Sequence, residues 1–212
     1  MRSEQPIPGN PWPHAMVISV DEGPNNLCQL LFIRSAWGIA NDADIPMLDP
    51  VPDVGSSVLP SSASETKWSA RWKQAWSRGW RWYAIADPQQ RVTSELLRRL
   101  SMPDQPLHPA FPPFWQAEYG DEGIDSEAFE KWQRASRPEM LVAPQSTPER
   151  ICLDALIAAW NTGLETVVTL PYAGYFAQRI SAKHLVVSAA TRAHPESYNQ
   201  ALASPMNATW KP

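Results

Sequence analysis

"LETVVTLPYAGYFAQRISAKHLVVSAAT", residues 164–191, is the stretch on which the fold turns. It holds two short apolar runs, "LETVVTLP" and "HLVVSAAT", rich in Val, Leu and Thr and set off by Gly163 and by the cluster from Pro171 to Gly174. Branched side chains in so short a run suit a pleated strand better than a helix. Between them, "YAGYFAQRI" reads as a short aromatic helix or turn. Two strands joined by such a crossover imply parallel pairing, although a connection of about ten residues is near the minimum for it.

Upstream, "STPERICLDALIAAWNTG" reads as one helix, with Thr147 as N-cap, Pro148 at the first helical position, Glu149 in the first turn and Gly163 just past the end. Its middle is apolar nearly all round, the pattern of a helix buried on most sides. Downstream, a last helix starts near Pro195. At the other end, a Pro-rich arm over 1–14 leads into "AMVISVDEGPNNLCQLLFIR", two apolar runs around a turn-forming "DEGPNN", which reads as a β-hairpin. The expected fold class is α+β: a mixed β-sheet made of an N-terminal antiparallel hairpin and the C-terminal strands, packed by amphipathic helices. Long Pro-rich loops over 35–61 and 101–125 complete it. A single domain over 1–212 is expected, with "APQST" at 143–147 as the place for a subdomain seam.

"KWSARWKQAWSRGWRW", residues 67–82, supplies the largest aromatic surface. Ser62 and Glu65 form a capping-box pattern before it, and the helix should run to about Tyr83. At about 100° per residue, Trp68, Trp72, Trp76 and Trp80 cover an arc of roughly 120°, shared by Ala75, Gly79 and Tyr83. Lys67, Arg71, Lys73, Arg78 and Arg81 fall outside it. That split predicts an aromatic face in the core and a basic face in water. Trp82, at the edge of the arc beside Arg71 and Arg78, is the ring expected to stay partly exposed and stacked by a guanidinium. "TSELLRRL", from Thr93 to Leu100, reads as a further short helix, and "EAFEKWQRA" as another, capped by Asp125 or Ser126.

Composition narrows the class. The chain carries 22 prolines and 11 tryptophans in 212 residues, a sign of long ordered loops and of large buried aromatic area. Its longest apolar runs fall far short of the roughly 20 residues that cross a bilayer, and the proline-interrupted N-terminus lacks the apolar segment of a secretory signal. Cys28 and Cys152 lie in apolar contexts and are expected to be buried thiols rather than a disulfide. Together these features point to the cytoplasm. The net charge of −4 argues against generic nucleic-acid binding. Charge is nevertheless unevenly spread: residues 67–100 hold eight basic side chains, and residues 101–130 hold seven acids and no Lys or Arg. The two segments are expected to face each other within the fold.

Catalytic and metal signatures are missing from the sequence. His14, His108, His184 and His194 show no paired spacing and there is no Cys-x-x-Cys, so neither a metal nor a cofactor is expected. "DEGID", residues 121–125, lacks the alternating ligands of a calcium loop. No nucleophile elbow or phosphate loop is present.

Three functional classes follow. The leading expectation is a non-catalytic protein-binding module, in one version an immunity-like inhibitor. It would meet another protein with a basic surface through Glu118, Asp121, Glu122 and Asp125, with Trp82 at the contact. The alternative is a small-ligand-binding protein or enzyme using a crevice at the carboxyl ends of the last two strands. There Tyr172, Tyr175, Ser188, Thr191, Arg192 and His194 would gather, with Arg192 clamping an anion and His194 moving a proton. A third class is nucleic-acid binding through the basic helix face.

Overall fold

The computed structural model describes residues 9–85, 112–137 and 146–205. The helix expected over 93–100, most of the 143–147 seam, the first part of the 101–125 loop and the start of the Pro-rich arm lie outside the described residues. In chain order the described elements are β1 (Ser19–Glu22), α1 (Asn25–Trp37), α2 (Glu65–Ile85), α3 (Trp115–Tyr119), α4 (Ser126–Ala135), α5 (Pro148–Ile151), α6 (Leu153–Asn161), β2 (Thr166–Leu170), β3 (Ala177–Arg179), β4 (His184–Ser188), α7 (Ala189–Ala193) and α8 (Pro195–Leu202). The architecture is mixed α/β, in keeping with α+β, with a four-stranded open sheet. The described residues fall into two compact units, the first drawn from 1–24, 46–50 and 135–211, the second from 25–45 and 51–134.

The first unit is built on the sheet, in the order β1-β2-β4-β3. β2 runs parallel to β1, with Val20 opposite Val167, and parallel to β4, with Val168 opposite Val186. β3 returns antiparallel to β4. Every residue of β2 and β4 is buried, which is why these runs are continuously apolar or Thr-rich instead of alternating. Val167, Leu185 and Val187 pack against Leu153 and Leu156 of α6 and Tyr198 and Leu202 of α8. Gly163, at φ 98°, ends α6 by returning its N–H to Trp160 O at 2.8 Å.

The second unit is helical. Trp68, Trp72, Trp76 and Trp80 are each 6 % exposed or less, so the tryptophan comb is core. Trp72 stacks on Trp76 at 5.3 Å, and Trp37, Trp68 and Trp115 meet pairwise at 5.2–5.9 Å. Burying an indole leaves its N–H in need of an acceptor. Trp72 Nε1 donates to Leu30 O at 2.6 Å, Trp68 Nε1 to Pro60 O at 3.1 Å and Trp37 Nε1 to Gly123 O at 2.9 Å, while Trp115 Nε1 is buried with no partner. Gly79 lets α2 approach α1 closely: a Cβ there would sit 3.1 Å from Leu27 Cδ2.

Four expectations need correction. The N-terminal hairpin does not form. "SVDE" is β1, which pairs in parallel with β2, and "NNLCQLLFIRSAW" is α1. Residues 26–33 are all buried, so the run has no period to betray a helix, and its length of 13 residues exceeds an ordinary strand. The connection between β2 and β4 is not helical but contains β3. The helix expected from Thr147 is interrupted at Cys152, where φ −100° and ψ 29° accompany an Sγ contact to Pro195 O at 3.5 Å. Finally, α2 starts behind Ser64, whose Oγ accepts the Lys67 N–H at 3.3 Å, and not behind Ser62. Cys28 and Cys152 are both buried, and no disulfide joins them.

Candidate functional site

Two places gather the residues singled out from the sequence, one in each unit. In the second unit, the acidic segment is shaped by its own hydrogen bonds. Asp125 caps α4 by accepting the Ala128 N–H on Oδ1 at 3.0 Å, and its Oδ2 accepts the Ser56 N–H and hydroxyl at 2.9 and 2.8 Å. Those donors, Ala128 N–H first and the two from Ser56 next, hold the Asp125 carboxyl down at about 2. Ser57 Oγ accepts the Asp125 N–H at 2.9 Å, and Val58 N donates to Gly123 O at 3.0 Å. The segment is therefore tied along its length to residues 56–58. Gly123 and Gly55 adopt φ 73° and 56°, and a Cβ would meet Val58 O at the first and Asp125 Oδ2 and Ala128 Cβ at the second.

What the clip leaves outside is specific. Asp121 and Glu122 are exposed, Glu122 Oε2 accepting only a 3.4 Å bond from Ser62 Oγ. Val58, on the partner segment, stands 65 % exposed. Glu118 pairs with Arg78, and Lys73 with Asp42 at 2.5 Å, so basic and acidic stretches do meet within this unit. Trp82 is half-buried and edge-on to Tyr83 at 4.9 Å. The guanidinium stack involves Arg71, which lies over Trp68 at 4.5 Å and Tyr119 at 5.4 Å.

In the first unit, the carboxyl ends of β1, β2 and β4 bring polar groups together, as parallel strands of an open sheet do. Ser188, the last residue of β4, caps α7 by accepting the Thr191 N–H at 3.0 Å and donates to Gly174 O at 2.6 Å. Thr191 Oγ1 accepts the Phe176 N–H at 2.9 Å. Tyr172 is buried edge-on to Phe176, whereas Tyr175 is 51 % exposed. His194 is exposed at the start of α8, its Nδ1 2.8 Å from Ala190 O.

Arg192 occupies the centre of this edge. Its Nε and Nη2 grip Glu149 at 2.8 and 2.9 Å, and its Nη1 reaches Glu22 Oε1 at 2.6 Å. Tyr198 Oη donates to Glu149 Oε1 at 3.1 Å. Burial opposes the Arg192 charge, but Glu149 and Glu22 more than offset it and raise its pKa above the usual arginine value. Burial, then the Glu149 charge, push the Tyr198 phenol well above 10. Burial also raises the Cys152 thiol, with Glu149 adding to it, so this sulfur stays protonated. The sequence pattern marked Arg192 but not its partners. Glu149 looked like a first-turn acid stabilising a helix start, and Glu22 like part of a turn.

Among the described residues no group of three or more His, Cys, Asp or Glu is placed to hold a metal ion, and no helix is long and apolar enough to cross a membrane. No family model, no curated protein and no solved structure gives a significant match to this chain.

Proposed function

We propose that the protein is a non-catalytic binding module that holds a partner protein with a basic surface against the exposed acids of the second unit. The observation that supports this reading is the clip itself. Asp121 and Glu122 stay in water on a segment fixed by Asp125 and Gly123, beside the exposed side chain of Val58. Apolar contacts rimmed by charge of one sign, on a backbone already ordered, suit recognition with little entropy lost on binding. Trp82 remains the aromatic candidate for the contact. An immunity-like inhibitor of a basic enzyme is one concrete form, and a cytoplasmic site of action belongs to the same proposal.

The test is affinity purification from the cells that make the protein, followed by association kinetics with whatever basic chain co-purifies stoichiometrically. Asp121→Asn with Glu122→Gln should slow association at least tenfold at low salt and flatten its salt dependence. An on-rate equal to that of the unmodified protein removes the proposal. Glu118 and Asp125 are poor first targets because both already serve contacts within the fold.

A second reading, a small-ligand protein or enzyme using the sheet edge, draws support from Glu22, whose side chain is 35 % exposed while anchored on the mostly buried Arg192. It suits a cationic or hydroxyl-bearing ligand better than an anion, since Arg192 already carries two carboxylates. Glu22→Gln should then weaken ligand binding at least tenfold while the remaining Arg192–Glu149 pair keeps the protein folded, at a modestly lower melting temperature. Nucleic-acid binding through α2 has less to support it, because Lys73 and Arg78 on its polar face already pair with Asp42 and Glu118.

A further inference from the structure

The first unit carries a concave feature away from the carboxyl ends of its parallel strands. The end of α6, the β3–β4 turn and the end of α8 frame an open groove of about 550 Å³. Its walls are largely methyl groups, from Ala155, Ala158 and Ala159 on α6 and from Leu202 and Ala203 on α8. Thr162 and Ser204 add hydroxyls, and the one charged group in the lining is Arg179, which is only 6 % exposed.

Arg179 is satisfied as a hydrogen-bond donor but not as a charge. Its bonds go to Thr162 Oγ1 at 3.1 Å, Thr162 O at 3.4 Å, Ser181 O at 3.4 Å and Ala182 O at 2.5 Å, all neutral acceptors. Four of its five N–H groups are thereby committed, and one on Nη1 is left. Among the described residues no carboxylate lies within ion-pair distance of it, and burial alone lowers its pKa from the usual arginine value. The carbonyl end of α6 at Thr162 offsets part of the charge through the helix dipole. Arg192, in the same unit, shows the contrast: a guanidinium of similar burial that this chain surrounds with two carboxylates. A buried cation without a counter-ion is costly, and a groove of this volume is of the size that small ligands fill.

We propose that this groove binds a small monocarboxylate with an aliphatic body, the carboxylate meeting Arg179 and the chain lying on the alanine wall. The pairing supplies the missing negative charge, and an apolar tail displaces water from methyl groups. A dianion is disfavoured, because one guanidinium with one uncommitted N–H cannot compensate its desolvation.

The test uses the full chain with labelled alanine methyls, titrated with sodium octanoate, octan-1-ol and sodium acetate and followed by NMR. Octanoate should shift the Ala155, Ala158 and Ala203 methyls saturably. Octanol, lacking the charge, and acetate, lacking the body, should each bind at least tenfold more weakly. Ala158→Trp, an exposed position that fills the groove and leaves Arg179 in place, should weaken octanoate binding at least tenfold, as should Arg179→Gln. If Arg179→Gln does not fold, Ala158→Trp decides alone. Absence of saturable shifts, equal binding of octanol, equal binding of acetate, or full affinity in Ala158→Trp each overturns the proposal.

Discussion

Trp72 and Trp115 place the same side chain in the interior of the second unit on opposite terms. Trp72 is fully buried with its N–H on Leu30 O, whereas Trp115 is 2 % exposed with an N–H that meets no acceptor. Each N–H lost its water on folding, and only one was repaid. Replacing each by Phe separates packing from polarity. Trp72→Phe is expected to cost about 2–3 kcal/mol, and Trp115→Phe at least about 1 kcal/mol less, in urea unfolding. Equal losses would show that the indole N–H groups do not discriminate. Asp125 gives a pH signature at the same scale. Its carboxyl titrates at about 2 in the fold and near 3.9 in an unfolded chain, so its contribution is fully present above pH 4 and fades as pH falls towards 2. Asp125→Asn should therefore be less stable at neutral pH, with the gap closing in acid. A parallel pair of stability–pH curves would argue against the assignment.

Among the elements, Gly123 shows how much a loop can depend on one backbone position. It combines φ 73° with a backbone approach so close that any Cβ would strike Val58 O. Gly123→Ala should cost more than about 2 kcal/mol, and chemical shifts should change at Ser56, Ser57 and Trp37 together, because all three are bonded to this segment. The elements also show where sequence was legible. The tryptophan helix, the cap at Asp125, the helix start at Pro148, and strands β2 and β4 each follow from a local pattern that tertiary packing respects. The run from Leu27 to Ile33 carries no such pattern, because a helix buried all round and a strand buried on both faces look alike in sequence. β3 was missed for a different reason: three residues long, it exists only because β4 is there to pair with it. In the sheet-edge site, Ser188, Thr191 and Arg192 could be placed from the end of a strand. Glu22 and Glu149 could not, since their meeting depends on pairings between segments far apart in the chain.

For the molecule as a whole, the long-range pairings carry the consequence. Arg192 ties β1 through Glu22 to α5 through Glu149, and Tyr198 of α8 joins the same carboxylate. Arg192→Met would strand a buried carboxylate and should cost about 3–5 kcal/mol. Tyr198, held protonated in the fold, contributes stability that is complete below about pH 10 and is lost as pH rises through its raised value. Tyr198→Phe should accordingly flatten the alkaline limb of the stability curve; an unaltered limb would place the titrating group elsewhere.

β1 and β2 are hydrogen-bonded neighbours, yet the whole of the second unit and the start of the next segment separate them along the chain. Closing a loop of roughly 140 residues costs on the order of 4 kcal/mol in entropy before any strand pairing is gained. On a ribosome adding about 5–20 residues per second, β1 emerges many seconds ahead of the strand it must join. The second unit has that interval to fold, and its folding shortens the gap that β1 must bridge. Time, as much as geometry, thus makes the tryptophan-rich unit the natural first step in building the sheet.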